Sequence, residues 1–191
     1  MRNMRLPSAY LLGLVYFASE LLLVITRRSR KTDSSAKDRN SLRFLWITIL
    51  VSLWAGIQVA ASWPAAALPH KTMFAGAGFV FFIIGITLRW YAIVKLGRFF
   101  TVNVAIAKDH QLVESGPYRF VRHPSYTGAL LAFLGFGLSL GNWAAAIIIL
   151  APIFVAFVYR MQVEERALIS ALGDEYISYL RRTERLIPVI Y

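Results

Sequence analysis

A chain of 191 residues is about one domain long, but 58% apolar and only 16% charged residues do not suit a soluble domain, where about 25% charge is usual. With a mean hydropathy of +0.56 that balance excludes disorder, collagen and coiled coil, and the lack of cysteine excludes disulfides, thiolate metal sites and a cysteine nucleophile. Lys and Arg outnumber Asp and Glu 21 to 10, and a net charge of +11 on so apolar a chain points to anionic lipid headgroups rather than nucleic acid.

Spanning a bilayer takes about 20 apolar residues at about 1.5 Å each. The first candidate, 9–26, contains Glu20 and lacks the small-residue cleavage site of a signal peptide. The second is 44–63 and the third 73–94, with Arg89 inside it. A fourth, 126–140, is short, and only Gly141 and Asn142 separate it from the fifth, 143–159, so the two read as a tight helical hairpin. The fold class expected is therefore all-α: a polytopic membrane protein with about five transmembrane helices. Segments 27–43, 95–125 and the tail carry seventeen of the basic residues and fall on one side, against Arg2, Arg5 and Lys71 on the other. The positive-inside bias puts the seventeen in the cytoplasm, the N-terminus outside and the C-terminus inside, with Trp63 and Trp143 at the outer interface.

The polar segments differ in kind. Residues 27–43 read as a solvated loop touching headgroups. Residues 95–125 mix aromatics, Gly116, Pro117 and Pro124 with polar groups, too long for a mere connection and too apolar for disorder. The tail reads as one helix over 160–183, leaving the fifth span. On it Arg160, Glu164 and Leu168 follow i, i+4, i+8 spacing and share a face, either as an ion pair at the membrane edge or as charges at a pocket mouth. Glu20 and Arg89 pair with each other or snorkel, with no catalytic role assigned to either. Gly137 and Gly141 form a G-x-x-x-G of the kind that lets helices pack closely. His70, His110 and His123 are scattered without a carboxylate cluster, so no metal is expected. No phosphate-binding loop, dinucleotide fingerprint or nucleophile elbow is present.

The string GPYRFVRHPSYTG at 116–128, preceded by HQLVESG and followed by the Glu164–Glu165 pair and the closing segment EERALISALGDEYISYLRRTERLIPVIY, resembles the isoprenylcysteine carboxyl methyltransferase family. The resemblance covers residues 95–191; residues 1–94 are similar only as three apolar spans with the basic loop 27–43. It implies a methyltransferase core made of a cofactor loop (95–125), a helical hairpin (126–159) and a tail helix (160–183). It also implies S-adenosylmethionine as methyl donor, with S-adenosylhomocysteine as product. The family's cofactor contacts would fall on Asn103, His110, Gln111, Leu112, Val113, Tyr118, His123, Pro124, Ser125, Tyr126 and Glu164. Asn103 stands where relatives tend to have Gln. Substrate binding and catalysis would fall on Arg160.

These residue types suit the chemistry that the resemblance implies. Aromatic faces such as Tyr118 and Tyr126 attract a sulfonium cation, and Glu164 can hold ammonium or ribose groups by charge-assisted hydrogen bonds. A carboxylate nucleophile is already ionised near pH 7, so no general base is needed. Arg160 would hold it as a two-pronged donor. A prenylated or lipid-like acceptor would enter sideways from the membrane. The alternatives are methylation of a phospholipid amine, or an NADPH-dependent lipid or sterol reductase whose cofactor phosphates would use Arg181, Arg182 and Arg185.

Overall fold

In the computed structural model, residues 8–26, 36–100 and 111–188 are described. They form six α-helices: α1 (Ala9–Thr26), α2 (Ala36–Ser62), α3 (Lys71–Leu96), α4 (Pro124–Ser139), α5 (Trp143–Leu172) and α6 (Asp174–Leu180). Four of them, α1, α2, α3 and α5, are long and apolar enough to cross a membrane, and the protein is an integral membrane protein. The helix α4 has 16 residues, about 24 Å of rise, which matches the short fourth span expected from the sequence.

Each long helix buries one stripe and leaves the rest of its apolar surface to lipid. On α1 the buried residues are Leu12, Tyr16, Glu20 and Leu23, one face at helical spacing, while Leu14, Phe17, Leu21 and Ile25 lie open. On α2 Ser41, Leu45, Ile49 and Ser52 form the corresponding stripe. The helix α2 begins at Ala36, inside the stretch expected as a solvated 27–43 loop, and Ser41 is fully buried. Polar composition hid this helical turn, because what makes the position internal is a tertiary partner, Arg160.

Two connections meet at one end of the bundle. Leu68 donates its N–H to the Gly141 carbonyl at 2.8 Å, and the Asn142 amide donates to the Trp63 carbonyl at 3.0 Å. Asn142 also caps α5 by accepting from the Ala145 N–H at 3.0 Å. Gly141 takes φ 66° in this turn and faces the Lys71 side chain, whereas Gly137, the other half of the expected G-x-x-x-G pair, packs tightly on α5 at Ala146. The closest packing is between α3 and α4. A Cβ on Gly85 would stand 2.4 Å from the Ala132 backbone nitrogen, so only glycine permits this approach.

At the other end the chain makes the site. Pro124 opens α4 at a position whose N–H needs no partner. The tail helix expected over 160–183 is two helices. Gly173, at φ 57°, ends α5, and α6 starts afresh with Asp174 and Glu175 in its first turn. Beyond α6 the chain runs back along the His-Pro segment. Arg122 and His123 donate their N–H groups to the carbonyls of Glu184 and Arg185 at 2.8 and 3.0 Å, and Thr127 Oγ1 donates to the Leu186 carbonyl at 2.7 Å.

Candidate active site

A cavity of about 190 Å³ opens where the His-Pro segment, the tail and the ends of the long helices converge. Of the residues singled out in the sequence, Gln111, Leu112, Val113, Tyr118, His123, Ser125, Tyr126, Arg160 and Glu164 line it. Asn103 and His110 lie outside the described residues. Pro124 is buried beside the cavity and does not line it. Leu168 lines it too, so the whole Arg160, Glu164, Leu168 face of α5 turns inward to this space.

Glu164 is the polar centre. Its Oε1 accepts from the Tyr126 hydroxyl at 2.6 Å and from Arg160 Nε at 3.1 Å. Its Oε2 has His123 Nδ1 at 3.7 Å, beyond hydrogen-bond length. Arg160, 1% exposed, is fixed from two helices at once, because its Nη1 also donates to Ser41 Oγ on α2 at 2.6 Å. The ion pair and the cavity position, alternatives in the sequence, are both present.

The aromatic wall is held as firmly. The Tyr118 hydroxyl donates to the Ala92 carbonyl at 3.3 Å, and the Tyr118 carbonyl accepts from the Tyr179 hydroxyl at 2.7 Å. Burial pushes both phenols up, Tyr179 to about 12 and Tyr118 further, so each remains a neutral hydrogen-bond donor at ordinary pH. The Tyr126 ring packs on Phe157 with centroids 4.8 Å apart and on His123 at 5.7 Å.

Several groups that shape the site were not assigned to it from the sequence. Glu165 accepts from Arg122 Nε at 3.1 Å and Arg185 Nη2 at 2.8 Å, and lies 3.3 Å from His123 Nε2. Arg122 also donates to the carbonyls of Leu180 and Thr183. On the membrane side Glu20 and Arg89 form a bidentate pair, Nε to Oε1 at 2.6 Å and Nη2 to Oε2 at 2.8 Å. Arg89 Nη1 then reaches Ser125 Oγ at 3.1 Å. The signal for this pair was present as two opposite charges in apolar spans; its partner choice was not. Among the described residues no group of three His, Asp or Glu side chains is placed to hold a metal ion.

This arrangement sets a carboxylate and an arginine side by side, in a cavity also lined by aromatic rings and by the apolar side chains of Leu23, Leu42, Leu45 and Trp46. It can hold a small cationic ligand and an anionic group together at the edge of the lipid.

Residues 78–170 match the model of the isoprenylcysteine carboxyl methyltransferase family. A protein-S-isoprenylcysteine O-methyltransferase of Schizosaccharomyces pombe is 38% identical over 112 residues, covering 58% of this chain and 48% of that protein. The enzyme named protein-S-isoprenylcysteine O-methyltransferase A of Arabidopsis thaliana is 27% identical over 191 residues, 98% of this chain and 95% of that one. A solved structure of the eukaryotic intramembrane Ras methyltransferase, isoprenylcysteine carboxyl methyltransferase, superposes with a TM-score of 0.66 at 25% identity, covering 94% of this chain and 64% of that chain. The similarity thus spans about half the length of the S. pombe relative and about two thirds of the solved chain.

Proposed function

We propose that the chain is a member of the isoprenylcysteine carboxyl methyltransferase family, whose model matches residues 78–170, and that it transfers a methyl group from S-adenosylmethionine to the carboxylate of a prenylated cysteine or similar lipophilic acceptor. The observation that carries this reading is that Tyr126 and Arg160 both hydrogen-bond Glu164 on the wall of a cavity lined mainly by apolar side chains.

The residues present suit such a donor: aromatic rings for a sulfonium, and a partly exposed carboxylate for an ammonium or ribose hydroxyls. When bound, S-adenosylmethionine supplies an electrophilic methyl group on a positively charged sulfur. Arg160 orients the acceptor carboxylate with a charge that does not titrate. One carboxylate oxygen forms the new bond to carbon as the carbon–sulfur bond breaks, and the electron pair stays on sulfur. No proton moves, so the site needs no base. An anion and a cation are converted into a neutral ester and a neutral thioether, so a water-poor, apolar cavity favours the step. Glu164, held by Tyr126 and Arg160, keeps the pocket's charge balanced before and after.

The orientation follows from charge. The site lies at the end of the bundle that carries the basic segments, so we place that end in the cytoplasm against anionic headgroups, with the N-terminus outside. The reductase alternative fares worse, because Arg182 pairs with Glu114 at 3.1 Å and Arg185 with Glu165 at 2.8 Å. Reconstituted protein given methyl-labelled S-adenosylmethionine and S-farnesylcysteine should yield a base-labile methyl ester. S-adenosylhomocysteine, and not NADPH, should raise its melting temperature in detergent. Stabilisation by NADPH alone, or label appearing only on a phospholipid amine, would sink this reading.

A further inference from the structure

A second space of about 50 Å³ adjoins the main cavity, and the two share Tyr16, Glu20, Trp46 and Ile49 as walls. Beyond those four residues the lining of the smaller space is apolar carbon, including Leu53 on α2, Phe82 on α3 and Phe136 on α4. Water entering it would find no hydrogen-bond partners there, whereas a hydrocarbon would lose none.

The depth of this chamber can be read along α1. Gly13 lies seven residues before Glu20, about 10 Å further from the charged end of the site. There α1 meets α4, and a Cβ built on Gly13 would stand 3.3 Å from the Phe136 ring. Any larger side chain at position 13 has to occupy the chamber or displace that ring. At roughly 10–15 Å³ for each water-sized group, the space takes about three to five such groups. One isoprene unit is of that size.

The chamber differs from the reacting groups in drawing most of its walls from α1 and α2. Tyr118, His123, Tyr126, Arg160 and Glu164 all lie within residues 78–170, the stretch that matches the family model. The walls contributed by α1 and α2, Gly13 among them, lie outside it. The chamber thus joins walls from both parts of the chain: Phe82, Ala132, Phe133 and Phe136 lie inside the matched stretch, and Gly13 lies outside it.

We propose that this chamber seats the last isoprene unit of the acceptor's tail, with Gly13 and Phe136 as its floor, so that these two residues set the tail length the protein accepts. The proposal rests on the methyltransferase reading above and adds to it the determinant of acceptor length.

The test compares kcat/KM for S-geranyl-, S-farnesyl- and S-geranylgeranylcysteine in the reconstituted wild type, in Gly13→Leu and in Phe136→Leu. Gly13→Leu should lower kcat/KM for the longest tail the wild type accepts by about tenfold or more relative to the tail one unit shorter, the scale of hydrocarbon discrimination in apolar pockets. Phe136→Leu should shift the ratio the other way. Stabilisation by S-adenosylhomocysteine reports that each variant is folded with its donor site intact. Should Gly13→Leu lose that stabilisation, Gly13→Ala, which adds a single methyl, should show the same direction with a smaller shift. Unchanged ratios in variants that keep the stabilisation overturn the length assignment and leave the methyltransferase reading standing. Wild type that binds S-adenosylhomocysteine but esterifies none of the three acceptors overturns the acceptor class, and the chamber's role with it.

Discussion

Glu164 and Glu165 are neighbours on α5, and about 100° of helical turn sends their side chains to different regions. Glu164 turns to the cavity, where it is 22% exposed and takes one phenol and one arginine. Glu165 turns to the tail, where it is 7% exposed and takes Arg122 and Arg185, with His123 alongside. The two carboxylates are chemically the same. The one facing the tail is saturated by fixed cations and ties the His-Pro segment to the chain end. The one facing the cavity retains an oxygen that has no partner closer than 3.7 Å among the described residues, so it can take a ligand's hydrogen bond without breaking the fold. Saturation separates the structural acid from the binding acid, which residue type and exposure alone do not.

Removing Glu165 should have the largest effect. Glu165→Ala strips Arg122 and Arg185 of their common counter-charge, and breaking a buried pair in this way costs about 3–5 kcal/mol. Thermal unfolding in detergent micelles should show that loss, and the tail should become protease-sensitive between α6 and residue 188. If unfolding and proteolysis stay at wild-type levels, the contrast between the two acids is wrong.

Arg160→Lys comes next and acts on the other side of the contrast. Lysine keeps the charge but not the planar fork, and positioning of the nucleophile should suffer. We expect kcat to fall by about 10²-fold, with S-adenosylhomocysteine affinity within a few-fold of wild type. Equal losses in both would make Arg160 part of the donor pocket rather than the acceptor's anchor. Glu164→Gln should be milder. It keeps the shape and removes one charge-assisted acceptor, worth about 1.5–3 kcal/mol, so S-adenosylhomocysteine binding should weaken by roughly 10–100-fold by calorimetry. Its melting temperature should fall by less than that of Glu165→Ala, because the amide oxygen can still accept from Tyr126 and Arg160.

Much of this arrangement can be read in the sequence, and the exceptions have physical causes. The long helices are marked by apolar runs of spanning length, and the hairpin by Gly141 and Asn142. Arg160, Glu164 and Leu168 reach one cavity because their helical spacing fixes a common face. What spacing along the chain does not encode is a partner chosen through space. Arg160 finds Ser41 across 119 positions and Arg89 finds Glu20 across 69. Ser41 gave no signal, since a serine in a polar run looks solvated until an arginine is buried against it. The break at Gly173 was hidden because apolar residues continue at helical spacing on both sides, and only the positive φ shows that the chain turns. Glu165 was overshadowed by its neighbour, because its partners Arg122 and Arg185 arrive from the His-Pro segment and the chain end.

The smallest effect expected tests whether the aromatic wall belongs to the tail's fold or to the cavity's chemistry. The Tyr179 hydroxyl donates to the Tyr118 carbonyl at 2.7 Å, and Tyr179→Phe removes that bond while keeping the ring. Stability should fall by about 1 kcal/mol, with kcat nearly unchanged because Tyr118 keeps its own hydroxyl bond to Ala92. A pH series sharpens the point. Burial raises the Tyr179 phenol to about 12 in the folded chain, against about 10 for an exposed tyrosine, so the folded state holds this proton more tightly than the unfolded state. Its contribution is complete below pH about 10 and is lost as pH rises from there through about 12. The wild type should therefore lose stability in that alkaline window, and Tyr179→Phe should lose less there because one of the buried phenols is gone. Equal alkaline losses in the two proteins would mean that Tyr179 is not held as a buried donor, and the tail would then rest on Glu165 without it.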